Sequence, residues 1–291
     1  MVEHQQSFAY SKEQWLTEGT GLFALKQYEK ALAAYEQASQ LDPTDALVHE
    51  YKGNALSGLK RHEEALAAYE QAIQLDPTSV VASTGKSNAL SELERYEEAL
   101  AAYEQAIQLD PTYALAYANK GSTLSRLKRH EEALAAYEQA IQLDPMSVVA
   151  STGKGYTLSK LKRYEEALAA DERASQLDPT YALAYANKGN TLSRLQRYAE
   201  ALAAYEQAIQ LDPTDALAYA NKGLVLSGLK RYAEALTAYE QASQLDPTYA
   251  RVYVYKARVL FRLRRYKEAL GAVKQAYRQA NQFGTLTDVN F

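Results

Sequence analysis

Asparagine, arginine and lysine side chains recur in this chain at spacings of 34 residues or multiples of 34. Asn221 follows Asn187 at this spacing, and Lys160 follows Arg126. An asparagine amide has a hydrogen-bond donor and an acceptor, so a row of amides can bind a peptide backbone without reading its side chains. A guanidinium group binds a carboxylate through two parallel hydrogen bonds. Side chains of these types suit an acidic peptide segment, provided that the fold places them on one surface.

No combination of residues in the sequence indicates catalysis or a bound cofactor. Gly85-Lys86-Ser87 resembles the end of a phosphate-binding loop, but Val80 stands where that loop needs a further glycine. The four histidines do not have metal-ligand spacing, and none recurs with a serine or an acid. The absence of cysteine excludes disulfides and thiolate metal sites. We therefore predict that the protein is not an enzyme and has no catalytic residues, no metal and no cofactor.

Composition and charge bear on localisation and on whether a membrane or a nucleic acid is a partner. The chain has 47% hydrophobic and 23% charged residues, which is ordinary for a soluble protein. No apolar run approaches the roughly 18 residues that span a bilayer, and residues 1–6 lack the basic start of a secretory signal. We expect a cytoplasmic protein with no membrane partner. Because the net charge is −4 and most of the 24 tyrosines recur at fixed repeat positions, we also expect no nucleic-acid partner.

The charge is unevenly distributed along the chain. Residues 250–283 contain nine Lys and Arg against one Glu, whereas residues 1–249 contain 23 basic and 34 acidic residues. Such segregation bears on association rather than on the fold. It leaves open an alternative in which the chain assembles with itself, acidic body against basic end, in stacks that do not close.

The proline positions reveal an internal repeat. All seven prolines, from Pro43 to Pro247, are separated by 34 residues, and we number repeat positions so that the proline is position 32. Within residues 114–147, apolar residues recur at steps of three and four on both sides of a break at 128–129. The second periodic segment ends before the proline, which lacks an N–H and disfavours helix at the preceding residue. Each repeat is therefore predicted to be a hairpin of two helices.

The repeat resembles the tetratricopeptide repeat. The sixth unit supplies the residues of that family's pattern, namely Tyr185, Gly189, Ala201, Tyr205, Ala208 and Pro213. The resemblance implies an all-α fold, a right-handed superhelical solenoid of antiparallel helix hairpins. It also implies a concave groove, lined by the first helix of each hairpin, for a protein or peptide partner.

The repeat defines a predicted domain organisation. A lead-in, 1–11, precedes eight repeats, and a tail, 284–291, follows them. The predicted repeats are 12–45, 46–79, 80–113, 114–147, 148–181, 182–215, 216–249 and 250–283.

The positions that face the groove in the family give a candidate peptide-binding site. It comprises Asn54, Asn88, Asn119, Arg126, Tyr156, Lys160, Asn187, Asn190, Arg194, Asn221, Arg251, Tyr255, Arg258 and Arg262. The asparagines resemble the asparagine ladder of the protein O-GlcNAc transferases.

Three of these residues, Asn190, Asn221 and Arg251, also match places in the carboxylate clamp of a subset of the family. We predict a scaffold that prefers acidic segments and binds them near its C-terminal half. The alternative is that these polar side chains form a solvated helix face with no binding role.

Two positions depart from the repeat pattern. Asp171 stands at position 24, where six repeats have tyrosine. Because a lone buried carboxylate is costly, we expect Asp171 to reach solvent or to pair with Arg173. His62 and His130 replace tyrosine at position 17, and we expect them to pack between helices.

Overall fold

The protein is described from a computed structural model that defines residues 10–283. Most of the predicted lead-in, residues 1–9, and the predicted tail, 284–291, lie outside the described residues. The chain divides into two compact units, Met1–Pro145 and Met146–Phe291, which we call unit 1 and unit 2. Residues 10–283 form helices joined by short turns and contain no strand, which confirms the predicted all-α repeat fold.

Unit 1 consists of four helix hairpins in its described part. Its helices are α1 Lys12–Ala24, α2 Tyr28–Leu41, α3 Ala46–Gly58, α4 His62–Leu75, α5 Val80–Glu92, α6 Tyr96–Leu109, α7 Ala114–Arg126 and α8 His130–Leu143. The two helices of each hairpin pack together, and the second helix also packs against the first helix of the next hairpin.

Unit 2 repeats this arrangement. Its helices are α9 Val148–Lys160, α10 Tyr164–Leu177, α11 Ala182–Arg194, α12 Tyr198–Leu211, α13 Ala216–Gly228, α14 Tyr232–Leu245, α15 Ala250–Arg262 and α16 Tyr266–Phe283. Each unit is thus a solenoid of consecutive hairpins. No helix within residues 10–283 is both long and apolar enough to cross a bilayer.

A left-handed residue makes the turn inside every hairpin. The residue at position 15 has a φ of about 60° in all eight, for example Lys128 at 61° and Glu94 at 59°. This conformation reverses the chain within a few residues, although a side chain makes it unfavourable for any residue except glycine. The predicted break at 128–129 is therefore a tight turn that joins α7 to α8.

An aspartate and a proline end most of the second helices. Asp76 caps α4 with an extended backbone, because the residue before proline avoids helical geometry. Its Oδ1 accepts hydrogen bonds from the Thr78 N–H at 2.9 Å and from the Thr78 hydroxyl at 2.7 Å. These bonds hold the pKa of the Asp76 carboxyl below its usual range.

The core alternates small and aromatic residues. The ring of Tyr205 lies so close to Gly189 that a Cβ there would come within 2.7 Å of the ring. Leu202 and Ala208 of the same hairpin are buried beside it. The absence of a side chain at Gly189 leaves the space that the Tyr205 ring occupies.

Lysines at position 7 join neighbouring hairpins on the surface. Lys222 pairs with Glu206 of the preceding hairpin at 2.9 Å, and Lys86 pairs with Glu70 at 3.0 Å. Lys86 lies inside α5, where the backbone is already hydrogen-bonded. The segment that resembles a phosphate-binding loop is therefore a helix with its lysine in an ion pair.

Candidate peptide-binding groove

A cavity of about 510 Å³ opens along the first helices of unit 2. Positions 6, 9 and 13 of a repeat lie three and four residues apart, so their side chains share one face of the first helix. Tyr156 and Lys160 of α9 line this cavity together with side chains from α11, α12 and α13. Six of the predicted site residues meet there: Tyr156, Lys160, Asn187, Asn190, Arg194 and Asn221.

Two asparagines from successive repeats form a hydrogen-bonded pair in this cavity. The Asn221 Nδ2 donates to the Asn190 Oδ1 at 2.9 Å, and the buried Tyr205 hydroxyl donates to the same oxygen at 2.7 Å. Burial raises the pKa of Tyr205, and the positive charge of Arg194 opposes this shift. The acceptor of Asn190 is therefore occupied within the protein, and the pair presents the Asn190 Nδ2 and the Asn221 Oδ1.

Unit 1 contains the same arrangement. The Asn119 Nδ2 donates to the Asn88 Oδ1 at 3.0 Å, and the Tyr103 hydroxyl donates to that oxygen as well. Asn54 lacks an asparagine partner in the next repeat, but its Oδ1 accepts from the Tyr69 hydroxyl at 2.8 Å. We expected each amide to offer both a donor and an acceptor to a ligand. At Asn88 and Asn190 the oxygen already accepts two hydrogen bonds within the protein, so this expectation is wrong there, whereas the Asn54 oxygen accepts one and keeps a second lone pair.

The cations along the groove differ in their surroundings. Arg126 in unit 1 pairs with Glu92 at 2.7 Å. In unit 2 the Lys160 Nζ lies over the Tyr156 ring at 4.9 Å from its centre. Within residues 10–283, no carboxylate lies at ion-pair distance from Lys160 or Arg194. Cations without a carboxylate partner in the described structure are thus found in the unit 2 cavity, whereas Arg126 is already neutralised.

The remaining predicted residues lie at the last hairpin. Arg258 and Arg262 line a separate cavity of about 900 Å³ along α15 and α16. The Tyr255 ring packs on Tyr239, with ring centres 5.7 Å apart. Arg251 is exposed at the start of α15 and is not part of the 510 Å³ cavity. The structure therefore separates these four residues from the six that share the cavity.

Sequence profiles of known families match most of the chain. Profiles described as tetratricopeptide repeat match 16–80, 114–147, 150–181, 182–215 and 216–249, and one described as TPR repeat matches 88–128. The chain belongs to the tetratricopeptide repeat family. Membership supports a protein–protein interaction scaffold, and scaffolds of this family are typically not enzymes. A comparison with curated proteins gives no match.

Solved tetratricopeptide structures have the same fold. The APC/C hetero-tetramer Cut9–Hcn1 matches with 18% identity and a TM-score of 0.72, over 86% of this chain and 53% of that chain. A tetratricopeptide repeat protein from Parabacteroides merdae matches with 15% identity and a TM-score of 0.65, over 86% and 98%. MamA matches with 24% identity and a TM-score of 0.52, over 57% and 96%. This chain spans about half the length of the matched Cut9–Hcn1 chain, and these identities show the fold alone.

One tetratricopeptide repeat has an unusual core directly beneath the cavity. Asp171, in the place of a core tyrosine, is fully buried, and its Oδ2 accepts from the Thr191 hydroxyl at 2.9 Å. Its Oδ1 has no partner among the described residues and lies against Gly155, where a Cβ would approach it to 2.1 Å. Burial raises the pKa of Asp171 from 3.8 to about 7, although the Thr191 hydrogen bond and the Lys188 charge oppose the shift.

Our expectation for Asp171 is therefore wrong. The carboxyl neither reaches solvent nor pairs with Arg173, because the helix packing that buries tyrosine in other repeats buries this side chain too. The partner is a threonine at position 10 of the next repeat.

Sequence reasoning missed two contributors to the groove. Thr191 lines the cavity and contacts Asp171, and its only sequence signal is the change from alanine at Ala55 and Ala89 to threonine at position 10. Glu92 neutralises Arg126, and its signal is an acid at position 13, where later repeats have Arg126, Lys160 and Arg194. Neither sequence change indicates a role in the groove until the contacts between neighbouring repeats are known.

Proposed function

We propose that the chain is a scaffold that binds an acidic peptide segment of a partner protein along the first helices of unit 2. The observation that carries the proposal is the 510 Å³ cavity, in which an amide pair lies among cations that no carboxylate of the described residues neutralises. Lys160 and Arg194 supply the positive charge. Asn190 and Asn221 supply one donor and one acceptor for a peptide backbone.

The geometry favours an extended segment. Lys160 and Arg194 occupy the same position in consecutive repeats, and packed helices lie about 8–10 Å apart. A chain in the extended polyproline II conformation advances about 3.1 Å per residue with three residues per turn, so acidic side chains three residues apart lie on one face about 9 Å apart and match this spacing. Each acid would then meet one cation, while the amide pair binds the backbone between them.

A synthetic acidic peptide tests this proposal. The probe is an acetylated decapeptide with glutamates at every third position, and its glutamine analogue serves as the uncharged control. Binding is measured by fluorescence anisotropy at several salt concentrations. We expect the glutamate peptide to bind at least 10-fold more tightly than its analogue and to weaken as salt rises.

Charge reversal localises the site. The double variant Lys160→Glu and Arg194→Glu should weaken binding at least 10-fold. The matched control is Lys162→Glu with Lys230→Glu, which makes the same change in net charge at turn residues. Glu94 already occupies this turn position in another repeat, so the control preserves the fold. An affinity that does not change with salt concentration, or that falls equally in both double variants, would contradict the proposal.

A further inference from the structure

The last hairpin exposes a leucine that the other hairpins bury. Position 21 is leucine in all eight repeats, and Leu236 of the preceding hairpin is only 5% exposed. Leu270, at the same position, is 58% exposed. Leu270 is thus a leucine at a core position of the repeat that is exposed to solvent in the described structure.

Other large apolar side chains surround Leu270. Phe261 is 62% exposed, Tyr266 56% and Tyr277 58%. Phe261, Tyr266, Leu270 and Val273 line the 900 Å³ cavity, and a second depression continues past Val273 to Tyr277. We call the strip formed by Phe261, Tyr266, Leu270, Val273 and Tyr277 the terminal face. An apolar strip of this kind marks an interaction surface.

The rest of unit 2 shows what shape covers such a face. The second helix of each earlier hairpin packs against the first helix of the next one, as α14 packs against α15. Val252 and Val259 of α15 belong to the same buried cluster as Leu236. The terminal face has the corresponding geometry, so the occupant that fits it is an α-helix with an apolar stripe.

The charge around the terminal face specifies this helix further. Arg258 and Arg262 line the larger cavity, and Lys274 and Arg278 line the second depression. The single acid of residues 250–283, Glu268, is held by Arg265 through two hydrogen bonds of 2.7 and 2.6 Å. Because the rim is basic, a helix with acidic residues beside its apolar stripe complements it.

The first helix of the described residues, α1, does not offer such a surface. In the later repeats of unit 1, positions 3 and 10 are buried, as at Val48 and Ala55. In α1 these positions are Gln14 and Gly21, and both are exposed. At these places α1 therefore lacks the apolar side chains that cover the preceding hairpin in later repeats, and it complements the terminal face of a second copy poorly. Two terminal faces would also repel each other, since both are basic.

We propose that the terminal face binds an acidic amphipathic helix of another protein. This site is distinct from the groove of the proposed function, because it uses α15 and α16 and none of the six residues of the unit 2 cavity. The apolar stripe would cover Leu270 and Val273, and the acids would meet Arg262, Lys274 and Arg278.

A designed helix provides the probe. It is a 16-residue peptide with leucine and alanine on one face and glutamate on the other, labelled for fluorescence anisotropy. A scrambled peptide of equal composition, which has no apolar stripe, is the control. We expect the amphipathic peptide to bind at least 10-fold more tightly than the scrambled one. Equal binding of the two would overturn the proposal, because charge alone would then account for it.

Variants separate this face from every other site. Leu270→Glu should weaken binding at least 10-fold, and Lys274→Glu with Arg278→Glu should weaken it to a similar extent. Leu25→Glu in unit 1 is the matched control, because Leu25 is 68% exposed, and it should leave binding unchanged. Circular dichroism checks that each variant is folded. Loss of binding in the Leu25 variant, or none in the Leu270 variant, would overturn the proposal.

Two further measurements test the other occupants. Sedimentation of the full chain should show a monomer, and a dimer that Leu270→Glu dissociates would assign the face to a second copy instead. Removal of residues 284–291 should leave the peptide affinity unchanged. An affinity that rises at least 10-fold on this deletion would identify the chain's own tail as the occupant, against the proposal.

Discussion

The two units contain the same amide pair in different electrostatic surroundings. In unit 1, Asn119 donates to Asn88, and in unit 2, Asn221 donates to Asn190, each time beside a buried tyrosine hydroxyl. The neighbouring cation in unit 1, Arg126, is paired with Glu92. No carboxylate of residues 10–283 pairs with Arg194.

This difference shows how near-identical repeats can differ in the charge that they present. The amide pair follows from residues that the repeat conserves between the units. The charge differs at position 13: the repeats of the unit 1 pair have Glu92 and Arg126 there, whereas those of the unit 2 pair have Arg194 and Gly228, and the repeat before them has Lys160. A carboxylate beside the unit 1 pair neutralises Arg126, and the proposed binding of an acidic peptide in unit 2 depends on Arg194 having no such partner among residues 10–283.

The largest expected effect concerns the core beneath the unit 2 cavity, where Asp171 occupies the repeat position that tyrosine has in the next hairpin, at Tyr205. The folded state keeps the Asp171 proton up to a pKa of about 7, whereas the unfolded state releases it near 3.8. Deprotonation of Asp171 is therefore more costly in the folded state than in the unfolded state. The free energy of unfolding is highest below pH 3.8 and falls as pH rises towards 7, by up to about 4 kcal/mol.

The variant Asp171→Asn measures this contribution, because asparagine has a similar shape and does not titrate. Urea unfolding of both proteins at several pH values gives the difference in their free energies of unfolding. We expect the variant to become more stable relative to the wild type as pH rises from 4 to 7. The groups that act on the carboxyl are Thr191, Lys188 and Glu172. A difference that is constant over this range would contradict the buried, protonated state.

The next effect in size comes from giving Arg194 an acidic partner like that of Arg126. The variant Lys160→Glu places an acid where Glu92 stands relative to Arg126, so the new carboxylate should pair with Arg194. We expect the affinity for the acidic decapeptide to fall about 10-fold, equivalent to about 1.4 kcal/mol. Lys162→Glu, which makes the same charge change at a turn, should have a much smaller effect.

The reverse conversion should create a second, weaker site. In Glu92→Lys, Arg126 loses its carboxylate partner and the amide pair Asn88–Asn119 lies beside two cations. We expect a second equivalent of acidic decapeptide to bind in isothermal titration calorimetry, with an affinity several-fold below that of unit 2. Glu94→Lys controls for the change in net charge. An unchanged stoichiometry of one would show that charge is not the difference between the walls.

The smallest effect concerns the amide pairs themselves. Asn119→Ala and Asn221→Ala each remove one hydrogen bond at an equivalent place, so each should lower the free energy of unfolding by about 1 kcal/mol. Only Asn221→Ala should also lower the affinity for the acidic decapeptide, by a few-fold. Thermal unfolding of the two variants checks the loss of stability, and fluorescence anisotropy checks the loss of affinity. Equal losses of affinity in both variants would show that the peptide also binds in unit 1.

Much of the groove could be read from the sequence because its residues recur with the repeat. Positions 6, 9 and 13 share a helix face in any hairpin, so Asn187, Asn190 and Arg194 could be placed together without coordinates. The internal use of the Asn190 oxygen could not be predicted, because it depends on how deeply the Tyr205 ring enters the core. The pairing of Arg126 with Glu92 likewise depends on two side chains from different repeats.

The sequence by itself determined the helix pairs, their turns and the family, since the 34-residue spacing of proline and the apolar periodicity are local properties of the chain. Tertiary structure alone decided that Asp171 is buried on Thr191, that Arg126 is neutralised and that Leu270 remains exposed. The physical reason is that burial and pairing are relations between neighbouring hairpins. The same leucine or arginine therefore has a different environment according to the hairpin that packs beside it.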